Sequence, residues 1–135
     1  MKVNKILETC LYCKDLDAAQ NFYSDILGLK LHSRAGNRHL FFRCGDSMVM
    51  VFNPEETRLP GQMVPAHGAT GSGHIAFSIP ESELPQWSDY LIEKGIEIEA
   101  DITWPDGGRS LYFRDISNNS VELASPRLWD LADRP

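Results

Sequence analysis

Leu40-Phe41-Phe42-Arg43 and Leu111-Tyr112-Phe113-Arg114 are one phrase written twice, and that repetition decides the fold. Each copy is followed by a turn and a short apolar strand that ends in proline. The first strand reads Met48-Val49-Met50-Val51-Phe52-Asn53-Pro54, the second Ser120-Val121-Glu122-Leu123-Ala124-Ser125-Pro126. Upstream, each copy begins with a strand that leads into an amphipathic helix. In the first copy the helix covers 15–27, with Leu16, Ala19, Phe22, Tyr23, Ile26 and Leu27 on one stripe at i, i+3, i+4 spacing. Asp15 is suited to cap its N-terminus and Gly28 to end it. In the second copy the helix covers about 81–94, with Leu84, Trp87, Tyr90 and Leu91 inward and Gly95 at its end.

Each copy therefore predicts strand, helix and three strands. The first supplies strands near 6–13, 29–34, 38–43 and 47–52. The second supplies 73–79, 96–104, 109–114 and 119–124. The expected fold class is α+β, with two βαβββ modules in a barrel-like open sheet. We take residues 1–135 as one domain: a module near 5–54, a linker over 53–72, a module near 73–126 and a tail over 127–135. The linker carries Pro54, Pro60, Pro65, Gly61, Gly68 and Gly71, a composition that suits a connecting or functional loop. The tail, with Leu128, Trp129 and Leu131, is expected to pack as a short helical turn.

Composition narrows the function classes. Of 135 residues, 42% are hydrophobic and 24% charged, and the net charge is −6 from 13 Lys+Arg against 19 Asp+Glu. An acidic chain of that kind lacks the basic footprint of a nucleic-acid binder. No apolar run reaches the ~18 residues of a membrane span, and residues 1–17 lack the apolar core of a signal peptide. The expected compartment is the cytoplasm. The three cysteines, Cys10, Cys13 and Cys44, make no disulfide framework. Cys10 and Cys13 form a C-x-x-C, but they lie in a strand, where i and i+3 point to opposite faces. Buried structural thiols are the expectation.

The opening L-Y-x-x-D-L-x-x-A-x-x-F-Y-x-x-x-L-G-L (Leu11 to Leu29), the stretch Gly73-His74-Ile75-Ala76-Phe77, and Leu111 to Asp115 with Asn119 to Leu123 resemble the vicinal-oxygen-chelate superfamily. This group holds glyoxalase I, bleomycin-resistance proteins, extradiol dioxygenases and fosfomycin-resistance enzymes. The resemblance runs from about Lys5 to Pro126. It implies paired βαβββ modules of the glyoxalase/bleomycin-resistance type around a shared cleft, often in a homodimer with equivalent sites.

The resemblance also places metal ligands on the first and last strand of each module, at Glu8, His74, Met50 and Glu122. Met50 is a thioether, a soft donor, so the implied ion-holding set is Glu8, His74 and Glu122. Two carboxylates and one neutral imidazole balance a 2+ ion and leave positions open for a substrate that binds through two neighbouring oxygens. Mn, Fe, Co, Ni and Zn all suit such a set. Glu122 and Glu8 are the expected catalytic residues, since either carboxylate can move a proton. Glu122 stands out as a charge on an apolar strand, which is costly when buried without a partner. The set departs from the four ligands of glyoxalase I at Met50. Arg109, Tyr112, Trp104, His67 and Met50 are the further candidates for contact with substrate. The expected reading is a metal-dependent lyase, transferase or dioxygenase of a small molecule. The alternative is a metal-free binding protein, similar to bleomycin-resistance proteins, that sequesters a drug-like ligand. Whether the site lies within one chain or is shared across a dimer stays open at the level of sequence.

Overall fold

The computed structural model describes residues 1–133. The chain divides into two compact units, the first spanning Met1–Gly71 and the second beginning at Ser72. The first unit contains β1 (Glu8–Tyr12), α1 (Leu16–Gln20), β2 (Lys30–Ala35), β3 (His39–Cys44), β4 (Ser47–Phe52) and α2 (Pro54–Thr57). The second contains β5 (His74–Ser78), α3 (Leu84–Glu93), β6 (Ala100–Thr103), β7 (Arg109–Arg114) and β8 (Ser120–Ala124). Each unit is one open four-stranded sheet with the same order, β1-β4-β3-β2 in the first and β5-β8-β7-β6 in the second. The α+β class and the duplicated βαβββ pattern are therefore those the repeat predicts. No helix among the described residues is long and apolar enough to cross a membrane.

The duplication extends to register. β1 runs parallel to β4 with Cys10 opposite Met50, and β5 runs parallel to β8 with Ala76 opposite Glu122. Across the antiparallel pairs, Phe41 faces Met50 and Tyr112 faces Glu122. Met50 and Glu122 thus occupy equivalent positions, as do Glu8 and His74 two residues before Cys10 and Ala76.

Local chemistry explains the helices. Asp15 caps α1 by accepting a hydrogen bond from the Ala18 amide at 3.0 Å. α1 then widens into a π-helical stretch over Asn21–Ile26, where Leu27 N–H reaches back five residues to Phe22 C=O. The extra residue in that turn lets consecutive Phe22 and Tyr23 both reach the core, edge-on at 5.0 Å. In α3, Leu84 and Leu91 are fully buried, while Trp87 and Tyr90 are half-buried and meet edge-on at 5.5 Å.

Three local expectations change. The strand expected over 96–104 begins only at Ala100. Gly95, at φ 76°, turns the chain so that Ile96 N–H bonds Leu91 C=O at 2.9 Å, and the helix exit consumes the following residues. The linker is ordered by the first unit. Asn53 caps α2 through the Glu55 amide, and His67 N–H returns to Thr57 C=O at 3.0 Å. Only Cys13 is buried. Cys44 is half-buried, and Cys10 is exposed because it shares the β1 face of Glu8 and Tyr12, opposite Leu11 and Cys13. The tail forms its predicted helical turn, a 3-10 turn over Pro126–Trp129. Arg134 and Pro135 lie outside the described residues.

The β6–β7 turn shapes the second unit's site. Gly108 has φ +91°, and a Cβ there would stand 3.0 Å from both Leu128 N and Ser125 Oγ. Gly108→Ala is expected to destabilise the fold by about 1–3 kcal/mol, since a left-handed backbone and an unyielding contact add. Gly36→Ala, with positive φ but open space, is the comparison. A larger fall in urea midpoint for Gly108→Ala than for Gly36→Ala would show that the contact matters.

Candidate functional site

In the second unit, β5 and β8 bring His74 and Glu122 together, with Nε2 and Oε2 3.2 Å apart. The Glu122 side chain is 9% exposed and the His74 side chain 52%, so a buried acid meets a half-open base. His74 Nδ1 lies 3.1 Å from the Ser120 carbonyl, an acceptor only, so Nδ1 carries the proton of the bond. The neutral ring then turns the lone pair of Nε2 toward the carboxylate. Two acceptors face each other, and only a cation between them, a proton or a metal ion, makes that contact favourable. A ring fixed by a carbonyl on one nitrogen and free on the other is what an imidazole ligand needs.

Tyr112 faces Glu122 across the β7–β8 pair, and its ring stacks on His74 with centroids 6.3 Å apart. Burial first, then the neighbouring Glu122 carboxylate, push the Tyr112 hydroxyl above its ordinary pKa. Trp104 Nε1 donates to the buried Ser110 Oγ at 2.9 Å, which fixes the indole beside the site. His74, Trp104, Tyr112 and Glu122 border a cavity of about 450 Å³ whose rim adds Asp106, Leu128 and Trp129.

His74 is anchored by a buried turn. Asp115 Oδ1 accepts from the amides of Ser117 and Asn119, each at 2.9 Å, and Asn119 Nδ2 donates to Asp115 Oδ2. Asn119 Oδ1 accepts from Gly73 N–H at 2.8 Å, and Ser120 N–H bonds Gly73 C=O. The residue before His74 is thus clamped to the residues that open β8.

In the first unit, a second cavity of about 910 Å³ lies against the corresponding strands, bordered by Glu8, Met50 and Phe52. Glu8 is exposed and makes no ion pair or hydrogen bond among the described residues. His67 comes into this cavity from the expected linker, its Nδ1 2.7 Å from the Tyr12 hydroxyl. Arg38, His39 and Gln62 border it too, and sequence reasoning missed all three as site residues. The signal for His39 was its position: it occupies the repeat position of Ser110.

The expected substrate contacts therefore divide. Tyr112 and Trp104 border the second unit's cavity, while Met50 and His67 border the first unit's. Arg109 borders neither. It is held by Asp101 through two hydrogen bonds of 2.8 and 2.7 Å, and the guanidinium keeps the Asp101 carboxyl below the usual carboxylate range. Arg43 and Arg114 also have structural partners, His32 at 3.3 Å and Glu99 at 2.7 Å. Among the described residues, no three His, Cys, Asp or Glu side chains gather into a group that would hold a metal ion.

Comparison with known proteins agrees with the duplicated fold. A family profile described as the Glyoxalase/Bleomycin resistance protein/Dioxygenase superfamily matches residues 5–123. The metallothiol transferase FosB of Staphylococcus epidermidis is 28% identical over 134 residues, 96% of this chain and 87% of that protein. The glutathione transferase FosA of Serratia marcescens is 31% identical over 116 residues, 84% of this chain and 74% of that protein. A crystal structure of lactoylglutathione lyase from Agrobacterium tumefaciens superposes with a TM-score of 0.93 at 37% identity, covering 97% of this chain and all of that one.

Proposed function

From the premise that this chain belongs to the glyoxalase/bleomycin resistance/dioxygenase superfamily, we propose that it is a divalent-metal-dependent enzyme. Its substrate is a small molecule held through two neighbouring oxygens. The observation that carries this reading is the His74–Glu122 pair. A buried carboxylate faces an imidazole nitrogen at 3.2 Å, and the other nitrogen is tied to a carbonyl. Tyr112 lies beside both, its ring stacked on His74 with centroids 6.3 Å apart. An imidazole and carboxylates suit Mn, Fe, Co, Ni or Zn, and such an ion supplies Lewis-acid stabilisation of a developing oxyanion.

The third donor in this reading is Glu8. No third acidic or imidazole side chain completes the pair among the described residues, and Glu8 is an unpaired carboxylate at the repeat position of His74. We assign it from a second copy of the chain, so that a homodimer holds two equivalent sites. Glu122 and Glu8 are then the carboxylates that accept or return the substrate's proton, with Tyr112 and Trp104 bordering the substrate. Transfer or lyase chemistry is the favoured class, because two similar proteins are named transferases and the solved structure a lyase. Small-molecule metabolism of this kind fits a cytoplasmic enzyme.

The test is metal content per chain by mass spectrometry, on protein purified without a histidine tag. Near-stoichiometric uptake of at least one of Mn, Fe, Co, Ni and Zn is expected. Failure to retain any of the five after incubation would leave a protonated His74 closing the contact with Glu122. The protein would then be a metal-free binding module.

A further inference from the structure

The first unit's cavity has a chemistry of its own, set by Arg38. This guanidinium is half-buried and pairs with no carboxylate among the described residues. Its Nε donates to Gln62 Oε1 at 3.1 Å, and one Nη donates to His39 Nδ1 at 2.6 Å. The other Nη is left for a ligand, beside a cavity whose walls are mainly apolar. His39 stacks on Phe41 at 3.8 Å with an interplanar angle of 2°. Burial first, and then the charge of Arg38, lower the His39 pKa, so its ring is neutral and carries its proton on Nε2. Burial first, and then Cys10, hold the Tyr12 hydroxyl above its ordinary range, and that hydroxyl lies 2.7 Å from His67 Nδ1, which leaves Nε2 as the other ring nitrogen of His67. One guanidinium and two imidazoles thus line one end of an apolar cavity.

The single acid on the rim is at the other end. Tyr12 pairs with Phe52, and Phe52 with His39, whereas Glu8 pairs with Met48. Four strand residues separate the two rows, a distance of about 13 Å at the ordinary strand rise.

We propose that this cavity binds a small organic carboxylate. The carboxylate sits at the free edge of Arg38, with the imidazoles of His39 and His67 close by, and the apolar body lies along Phe41, Phe52 and Met50. Charge decides the sign of the ligand, since an Arg among aromatic rings with no acid beside it is complementary to an anion. Glu8, the third donor of the function proposed above, borders this cavity, so the proposal rests on that reading for the place of the site, while holding the carboxylate at Arg38 needs no metal.

Calorimetric titration with 3-phenylpropionate, in the presence of a chelator, tests this directly. Its neutral twin 3-phenylpropanol and its cationic twin 3-phenylpropylamine share the apolar body. The acid is expected to bind at least about tenfold more tightly than either twin, the loss of one charge-assisted hydrogen bond being worth that much. Arg38→Gln should remove that preference, and Arg38→Lys, which keeps the charge, should retain part of it. Equal binding of acid and alcohol overturns the proposal, as does no binding of the acid or an undiminished preference in Arg38→Gln. The chelator makes the result independent of whether the second unit holds an ion.

Discussion

A His74→Ala variant is expected to lose bound metal while keeping its fold. Removing a ligand outright costs more than the roughly 10–100-fold in affinity that follows loss of an outer-shell partner. The ring is half-exposed, so its removal should alter stability by no more than about 0.5 kcal/mol. Glu8→Ala should lose metal in the same way. The informative experiment mixes the two. If Glu8 reaches the pair from a second copy, a dimer of one Glu8→Ala chain and one His74→Ala chain has one intact site and one doubly damaged site. Random co-refolding then restores about a quarter of all sites. A site built within one chain would recover none, and that outcome removes the shared-site reading while leaving metal dependence intact.

Glu122→Met is expected to separate stability from function more sharply. Glu122 is buried at 7% exposure, and its repeat equivalent is Met50. The fold therefore already accepts a thioether at this register. Replacing the carboxylate removes a buried charge and leaves behind a half-exposed imidazole and a tyrosine hydroxyl that borders the open cavity. The metal-free protein should unfold at an unchanged or higher urea concentration, a gain of up to about 2 kcal/mol. Metal retention should vanish in the same variant. A loss of more than about 2 kcal/mol would show instead that the carboxylate stabilises the fold, as a protonated His74–Glu122 pair would require.

What was legible in the sequence was whatever depends on neighbours along a strand or on the repeat. Glu122 announced itself as a charge inside an apolar strand, and the family resemblance placed His74 on the first strand of the same module. Register followed from comparing the two copies. The side chains missed at the first cavity depend on a different kind of fact. Arg38 and His39 become a lined site because Gln62 and His67 fold back over the first sheet, and proline and glycine in residues 53–72 say that the chain turns without saying where it lands. The pairing of Arg109 with Asp101 was not legible for a related reason. Asp101 lies across β6–β7, and β6 is short because the helix before it ends in a left-handed turn. Cys10 shows the reverse lesson, since strand alternation alone would have separated it from Cys13.

The turn that ties Gly73 to Asn119 has a bearing on the order of assembly. Its hydrogen bonds join backbone groups, the Asn119 amide and the Asp115 carboxylate, none of them the donors on His74 or Glu122, so β5 and β8 are locked side by side before any ion arrives. The two donors on those strands are consequently a product of folding rather than of loading. Such a protein differs from a zinc finger, whose chain organises itself around its metal. It should emerge from synthesis folded and empty, take up whichever suitable ion the cell supplies, and surrender it to a chelator without unravelling. Its activity would then follow the metal supply from minute to minute, while its abundance would not.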